Sequence, residues 1–316
     1  MSTNFPGFFD SYTTKADNVD TVSASHINNL QDAIVALEGQ FSVNGNVGLV
    51  EGRLSLSTTD PTDYNVATAA TNVYYLPFIG NRIAVFNTVT TGWDVLSFGS
   101  ASVSVPATTN TPFDIFAYNN SGTLTLQTVN WSSDTARATS LARQDGILCK
   151  TGDLGKRYLG TGRTTGVSGQ TENSTTKRFL WNYYNQQLRV LYRGYSASHT
   201  YNTATWRPFN NNSTDTIFEW VFGGFRADHL RVDLNASVGR VAGNSILSIN
   251  FGHNSTTTPN AVSFSYSIDT SSFSGWTMNN VLPINGRNYI CPLEYSNAAG
   301  TAPTFYDTAI FGGFLC

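Results

Sequence analysis

The sequence predicts a mostly β protein: a short N-terminal coiled-coil helix, then two antiparallel β domains, the C-terminal one a jelly-roll-like sandwich. Three observations predict it. A helical heptad period occurs near the N-terminus, at residues 23–41. Beyond it, short apolar or alternating runs recur at brief intervals between Gly, Asn and Ser turns. Aromatic residues make up 13% and charged residues 12% of the chain, about half the usual charge, so the composition is that of an ordered fold with a polar, weakly ionic surface.

The helix rests on Ile27, Leu30, Ile34, Leu37 and Phe41, spaced alternately three and four apart as in the a/d seam of a coiled coil. Ser23 is suited to cap its first turn, and Gly39 is expected to end it. The seam marks an oligomer, a homotrimer by expectation. Ile at a with Leu at d favours two strands in simple parallel coils, a preference that a short helix ahead of β domains need not obey. Before the helix, residues 1–22 have no periodicity but carry Phe5, Phe8, Phe9 and Tyr12, the anchors of a docking arm. Residues 42–195 read as a middle β domain. In it, residues 113–118 and 123–127 flank Asn119-Asn120-Ser121-Gly122 as a hairpin, and residues 82–87 and 93–98 form another. Residues 132–143 read as a short helix or a loop. Residues 196–216 are polar and read as a linker, and residues 217–316 as the C-terminal β-sandwich head.

Several function classes are disfavoured. A net charge of −3 offers no basic field for nucleic acid, and no apolar run approaches the ~20 residues of a membrane span. The first residues have neither the positive region nor the apolar run of a secretory signal, so folding in a cytoplasm is expected. Cys149, Cys291 and Cys316 are widely spaced and odd in number, which suggests neither a zinc site nor a disulfide framework; all three are expected reduced. The four histidines, His26, His199, His229 and His253, lack metal-pair spacing, and no metal or cofactor is expected. Gly160 to Gly166 is GxGxxxG rather than a dinucleotide fingerprint and reads as a glycine-rich turn. Glu219, Asp228, Asp233, Glu294 and Asp307 lie in the C-terminal half, where a carboxylate pair would serve glycan hydrolysis, but no stacked repeat of a polysaccharide-cleaving β-helix is present. No catalytic residue is assigned, and the chain is not expected to be an enzyme.

The opening aromatic arm followed by HINNLQDAIVALE resembles the N-terminal segment of tailed-bacteriophage fibre and appendage proteins. The stretches YYLPFIGNRIAVFN, PFDIFAYNNSGTLTL, RYLGTGRTTG and KRFLWNYYN are similar to a domain of phage tail-fibre-like proteins, and RNYICPLEYSNAAGTAPTFYD looks like their C-terminal heads. The resemblance implies a homotrimer on a virion, held through residues 1–22 by another virion protein, with the C-terminal head outermost. It implies a tail fibre that binds the host surface, or alternatively a capsid-bound head fibre or cement protein that braces the shell. A head poor in charge and rich in Asn, Thr, Trp and Tyr suits a cell-surface glycan, whose C–H faces lie on aromatic rings and whose alcohols meet amides and hydroxyls. Trp276, in a stretch that reads as a turn, leads the glycan candidates, followed by Trp206, Tyr295 and Tyr306.

Overall fold

The computed structural model describes residues 23–43, 47–225, 230–239, 246–260, 264–267 and 273–316, except for the side chains at 26, 36–43, 264–267, 273–277 and 279. The helix, α1, is Ala24–Val43. It runs through Gly39 rather than ending there, because one interior glycine costs only ~1 kcal/mol against alanine and the heptad continues to Phe41. Ser23 stands just before it, its hydroxyl 2.6 Å from that of Ser25. Ile27, Leu30 and Ile34 are 52%, 58% and 47% exposed, so the seam is uncovered in the single chain. Residues 1–22, with Phe5, Phe8, Phe9 and Tyr12, lie outside the described residues, as do the side chains of Leu37 and Phe41.

Fourteen short strands follow: β1 (Gly52–Ser55), β2 (Ala67–Ala70), β3 (Asn72–Pro77), β4 (Arg82–Asn87), β5 (Gly92–Ser97), β6 (Ala101–Ser104), β7 (Pro112–Asn120), β8 (Thr123–Asn130), β9 (Leu141–Gln144), β10 (Ile147–Lys150), β11 (Asp153–Arg163), β12 (Thr171–Asn173), β13 (Lys177–Arg178) and β14 (Leu180–Asn182). They build a β1–β3–β6 sheet, a β4–β5 hairpin, and a sheet in the order β8–β7–β11–β10–β9, with β14 also on β11. Both expected hairpins are present. The β7–β8 turn places Ser121 and Gly122 at φ 52° and 88°, the paired positive values of the tight turn that matches strand twist. Residues 132–143 hold a loop bridged at Trp131 and Arg137 and the start of β9.

β7 shows why the middle region is so apolar. Phe113, Ile115 and Ala117 point into one core with Leu54, Val73 and Ile83. Phe116, on the opposite face, enters a second core with Tyr158, Trp181, Phe218 and Trp220. A strand buried on both faces reads as a near-continuous hydrophobic run. The GxGxxxG stretch is not a turn: Gly160 and Gly162 lie within β11. A side chain on Gly160 would meet the Trp181 carbonyl at 2.2 Å, so the glycine permits close backbone approach.

The remaining strands are β15 (Leu188–Thr200), β16 (Arg207–Pro208), β17 (Phe218–Phe222), β18 (Leu230–Gly239), β19 (Ile246–His253), β20 (Phe264–Ser267), β21 (Phe273–Val281), β22 (Gly286–Ser296) and β23 (Thr304–Leu315). One sheet runs β15–β23–β18–β21. The other runs β2–β12–β13–β17–β22–β19–β20, with β16 also on β22. Leu191, Leu230, Val232 and Ile310 from the first sheet meet Phe218, Trp220, Phe251 and Ile290 from the second in one core.

Two sequence expectations are corrected here. Residues 196–216 are not an open linker. β15 continues to Thr200, β16 pairs with β22, and Phe209 is 1% exposed. The stretch is polar because β15 alternates faces and its turns are Asn-rich, not because it is free. Nor is the boundary between middle domain and head clean: β2, β12 and β13 belong to the head's larger sheet, and Phe116, Tyr158 and Trp181 share its core. Arg137 reinforces that junction. Its Nε donates to Asp114 Oδ2 at 2.7 Å, its Nη2 donates to the Gly223 carbonyl at 2.7 Å, and its guanidinium lies 4.4 Å from the Trp131 ring centre.

Candidate functional site

The outer face of the β15–β23–β18–β21 sheet carries the site. Side chains alternate along each strand, so while Leu191, Leu234 and Ile310 fill the core, Tyr192, Asn235 and Phe311 face outward. The register aligns three rows across the strands: Tyr192–Phe311–Asp233, Gly194–Ala309–Asn235 and Ser196–Asp307–Ser237. Tyr192 and the second and third rows form a shallow groove of about 470 Å³, with Tyr192, Ser196, Asn235, Ser237 and Asp307 along it and Gly194 and Ala309 as its floor.

The groove's parts have distinct causes. Tyr192 and Phe311 are directly opposed, with ring centres 4.9 Å apart and planes at 38°, and are 41% and 44% exposed. They leave an apolar shelf at one end. A Cβ on Gly194 would lie 2.6 Å from the Tyr192 hydroxyl, so the glycine makes room for the tyrosine to lie across the floor. Beyond the shelf the lining is hydroxyl, amide and one carboxylate, that of Asp307. Among the described residues no histidine, cysteine or lysine lines the groove. Rings beside hydroxyl, amide and carboxylate groups can hold a polyhydroxylated chain.

The sequence-derived glycan candidates divide between two places. Tyr306, 41% exposed, precedes Asp307 on β23 at a register shift and is not among the residues that line the groove. Trp276 is not in a turn: it lies within β21, and the register sets it opposite Asn235, extending the groove's middle row. Strand residues there were hidden by the small, polar Ser274-Gly275 pair, which mimics a turn in sequence. The side chain of Trp276 lies outside the described residues. Trp206 and Tyr295 pair instead with each other at the edge of the larger sheet, ring centres 5.2 Å apart. Beside them Glu294, fully buried, accepts from Arg207 Nε at 2.6 Å and lies 2.5 Å from His199 Nε2. Those contacts join β15, β16 and β22 and satisfy a carboxylate that would be costly to bury alone. Of the other acids, Glu219 pairs with Arg287 and Asp233 with Arg231, Asp307 lines the groove, and Asp228 lies outside the described residues.

Sequence reasoning missed Tyr192, Asn235, Ser237 and Phe311. Residues 188–195, LRVLYRGY, do not alternate apolar and polar although the strand alternates faces, and the expected domain boundary at 195 cuts through that strand. Among the described residues no cluster of three or more His, Cys, Asp or Glu is placed to hold a metal, and no helix is long and apolar enough to cross a membrane.

No family model matches the chain, and no curated protein matches it. Solved structures give distant likenesses only. Latent PorU from Porphyromonas gingivalis is 8% identical with a TM-score of 0.27, over 64% of this chain and 21% of that one. The insecticidal delta-endotoxin Cry8Ea1 from Bacillus thuringiensis is 6% identical with a TM-score of 0.27, over 83% of this chain and 51% of that one. VP2 of infectious bursal disease virus is 9% identical with a TM-score of 0.21, over 84% of this chain and 68% of that one. Likenesses this weak carry no argument about function. This chain thus spans well under two thirds of PorU and of the endotoxin.

Proposed function

We propose that this chain is a virion appendage of the phage-fibre kind: a homotrimer joined through α1, attached by residues 1–22 to another virion protein, and binding a host cell-surface glycan with its C-terminal head. It assembles in the host cytoplasm and resides on the virion. The observation that carries the glycan reading is the outer-face groove, where the Tyr192–Phe311 shelf adjoins Asn235, Ser237 and Asp307. The uncovered Ile27, Leu30 and Ile34 support the coiled-coil joint. The strand orders β15–β23–β18–β21 and β17–β22–β19–β20 support a jelly-roll head, since they place eight strands in two four-stranded layers with Greek-key connections. In that reading the head begins at β15.

A second reading has its own observation. Leu188, Val190 and Leu315 are 66%, 55% and 37% exposed on the same sheet face as the groove. A flat apolar stripe suits contact with a capsid surface, as in a head fibre or cement protein. The test is to add labelled full-length oligomer to host cells, beside a Tyr192→Ala/Phe311→Ala double variant. Binding that the double variant loses supports the receptor reading. Absence of binding under conditions where whole particles adsorb overturns it and leaves the capsid reading, in which labelled particles carry many copies over the shell rather than a few at one vertex.

A further inference from the structure

A second polar cavity, of about 290 Å³, lies in the middle region, where the β4–β5 turn, the β7–β8 turn and the start of β11 meet. Its centre is Asp94 on β5. Asn87 Nδ2 and Asn119 Nδ2 both donate to Asp94 Oδ2, at 3.0 and 2.8 Å. Each asparagine is fixed at its other end. Asn87 Oδ1 accepts from the backbone N–H of Val89 at 2.9 Å, and Asn119 Oδ1 accepts from that of Gly122 at 2.7 Å. The amide orientations are therefore set by the turns. Asp94 Oδ1 has no protein partner among the described residues. Lys156 and Tyr118 line the same cavity, with Lys156 Nζ 3.0 Å from Asp153 Oδ2 and 5.4 Å from the centre of the Tyr118 ring.

We infer that this cavity is a second saccharide site, which takes a single neutral hexose unit. Asp94 Oδ1 accepts from one sugar hydroxyl, Lys156 Nζ donates to a neighbouring one, and Tyr118 walls the C–H side of the ring. The charges select the class. The lysine ammonium opposes a metal ion, and two carboxylates oppose an anion, so an uncharged polyol is the ligand that satisfies both. The volume falls at the small end of ligand pockets, which suits one ring rather than a chain. A turn staple alone would account for the two amides on Asp94, but not for a cavity also lined by a held lysine and an aromatic ring. This site stands apart from the head groove, and its failure leaves that reading intact.

Saturation-transfer NMR tests it, using the full-length protein with methyl glycosides of mannose, galactose and glucose as probes, and sodium glucuronate and calcium chloride as charged counter-probes. Every protein carries Tyr192→Ala and Phe311→Ala, which remove the shelf of the head groove. A hexoside should give a signal in this background, and Lys156→Met should weaken its affinity at least about tenfold, the effect of losing a hydrogen bond to a charged group. Asp94→Asn should do the same. No signal from any hexoside, or a signal that Lys156→Met leaves unchanged, overturns the site. Asp94→Asn that lowers the melting temperature in a protein that binds no hexoside identifies Asp94 as a turn staple and also overturns it. Tighter binding of glucuronate or calcium than of any hexoside refutes the neutral class.

Discussion

Arg53 Nη2 donates to the carbonyl of Cys316 at 3.0 Å, joining residues 263 positions apart. The same guanidinium donates to the carbonyls of Pro61 at 2.7 Å and Asn185 at 3.1 Å, with the residue 2% exposed. The first strand of the middle region thus holds the last strand of the head. One planar cation donates to carbonyls from three separate segments, of which that of Cys316 also accepts from the backbone N–H of Gln187 at 2.8 Å.

Arg53→Met is therefore expected to be strongly destabilising. It keeps much of the apolar stem but takes the guanidinium donor from the Pro61 and Asn185 carbonyls, at about 1–3 kcal/mol each, while that of Cys316 keeps the Gln187 N–H. Thermal unfolding should show a fall in Tm of roughly 10 °C. An unchanged melting curve would mean that water replaces the guanidinium at no cost.

The uncovered helix seam makes assembly testable. Wild-type protein should scatter light as a trimer at micromolar concentration, and Ile34→Asp should shift it to monomer, since a carboxylate in a dry seam costs several kcal/mol unless it turns to water. The β body should remain folded by circular dichroism, because Ile34 faces outward there. A wild-type monomer would end the trimer reading.

Local features of this fold were legible in the sequence, and long-range ones were not. The heptad at Ile27, Leu30 and Ile34 and the Asn-Asn-Ser-Gly turn act over a few residues, so period and turn chemistry reveal them. The candidate groove takes Tyr192 from β15, Asn235 from β18 and Asp307 from β23. Nothing local records that those strands are neighbours. The same holds for the merged boundary: β13 pairs in parallel with β17, Arg178 opposite Trp220, and that long-range pairing carries the middle region into the head sheet. Trp276 misled because small residues on either side of an indole imitate a turn, whereas pairing with β18 makes the stretch a strand.

The cysteines should be inert in the native protein and reactive once it is unfolded. Cys149, Cys291 and Cys316 are buried and unpaired. Burial pushes the Cys149 thiol up to about 11 and the Cys291 thiol up to about 12, and raises Cys316 as well, so little thiolate exists near neutral pH. Alkylation without reductant should leave the folded protein unmodified and add three groups after denaturation, counted by mass spectrometry. A bridged pair would contradict this.

His253 should make stability depend on pH. Its ring stacks on Trp220, centres 5.9 Å apart with planes at 13°, and its Nε2 lies 3.0 Å from Asn288 Oδ1. Burial lowers its pKa below the ordinary imidazole value, while the hydrogen bond to Asn288 pulls more weakly the other way. The folded chain therefore binds this proton less readily than the unfolded chain. The stability it contributes is present in full above about pH 6.5, the unfolded value, and is lost as the pH falls from there through the folded pKa. The Tm should fall on acidification in that window. His253→Gln can still donate to Asn288 but cannot titrate, so its Tm should decline less steeply between about pH 6.5 and 5. Parallel declines for the two proteins would show that His253 gains its proton equally well folded or unfolded, and would refute the link between its burial and acid stability.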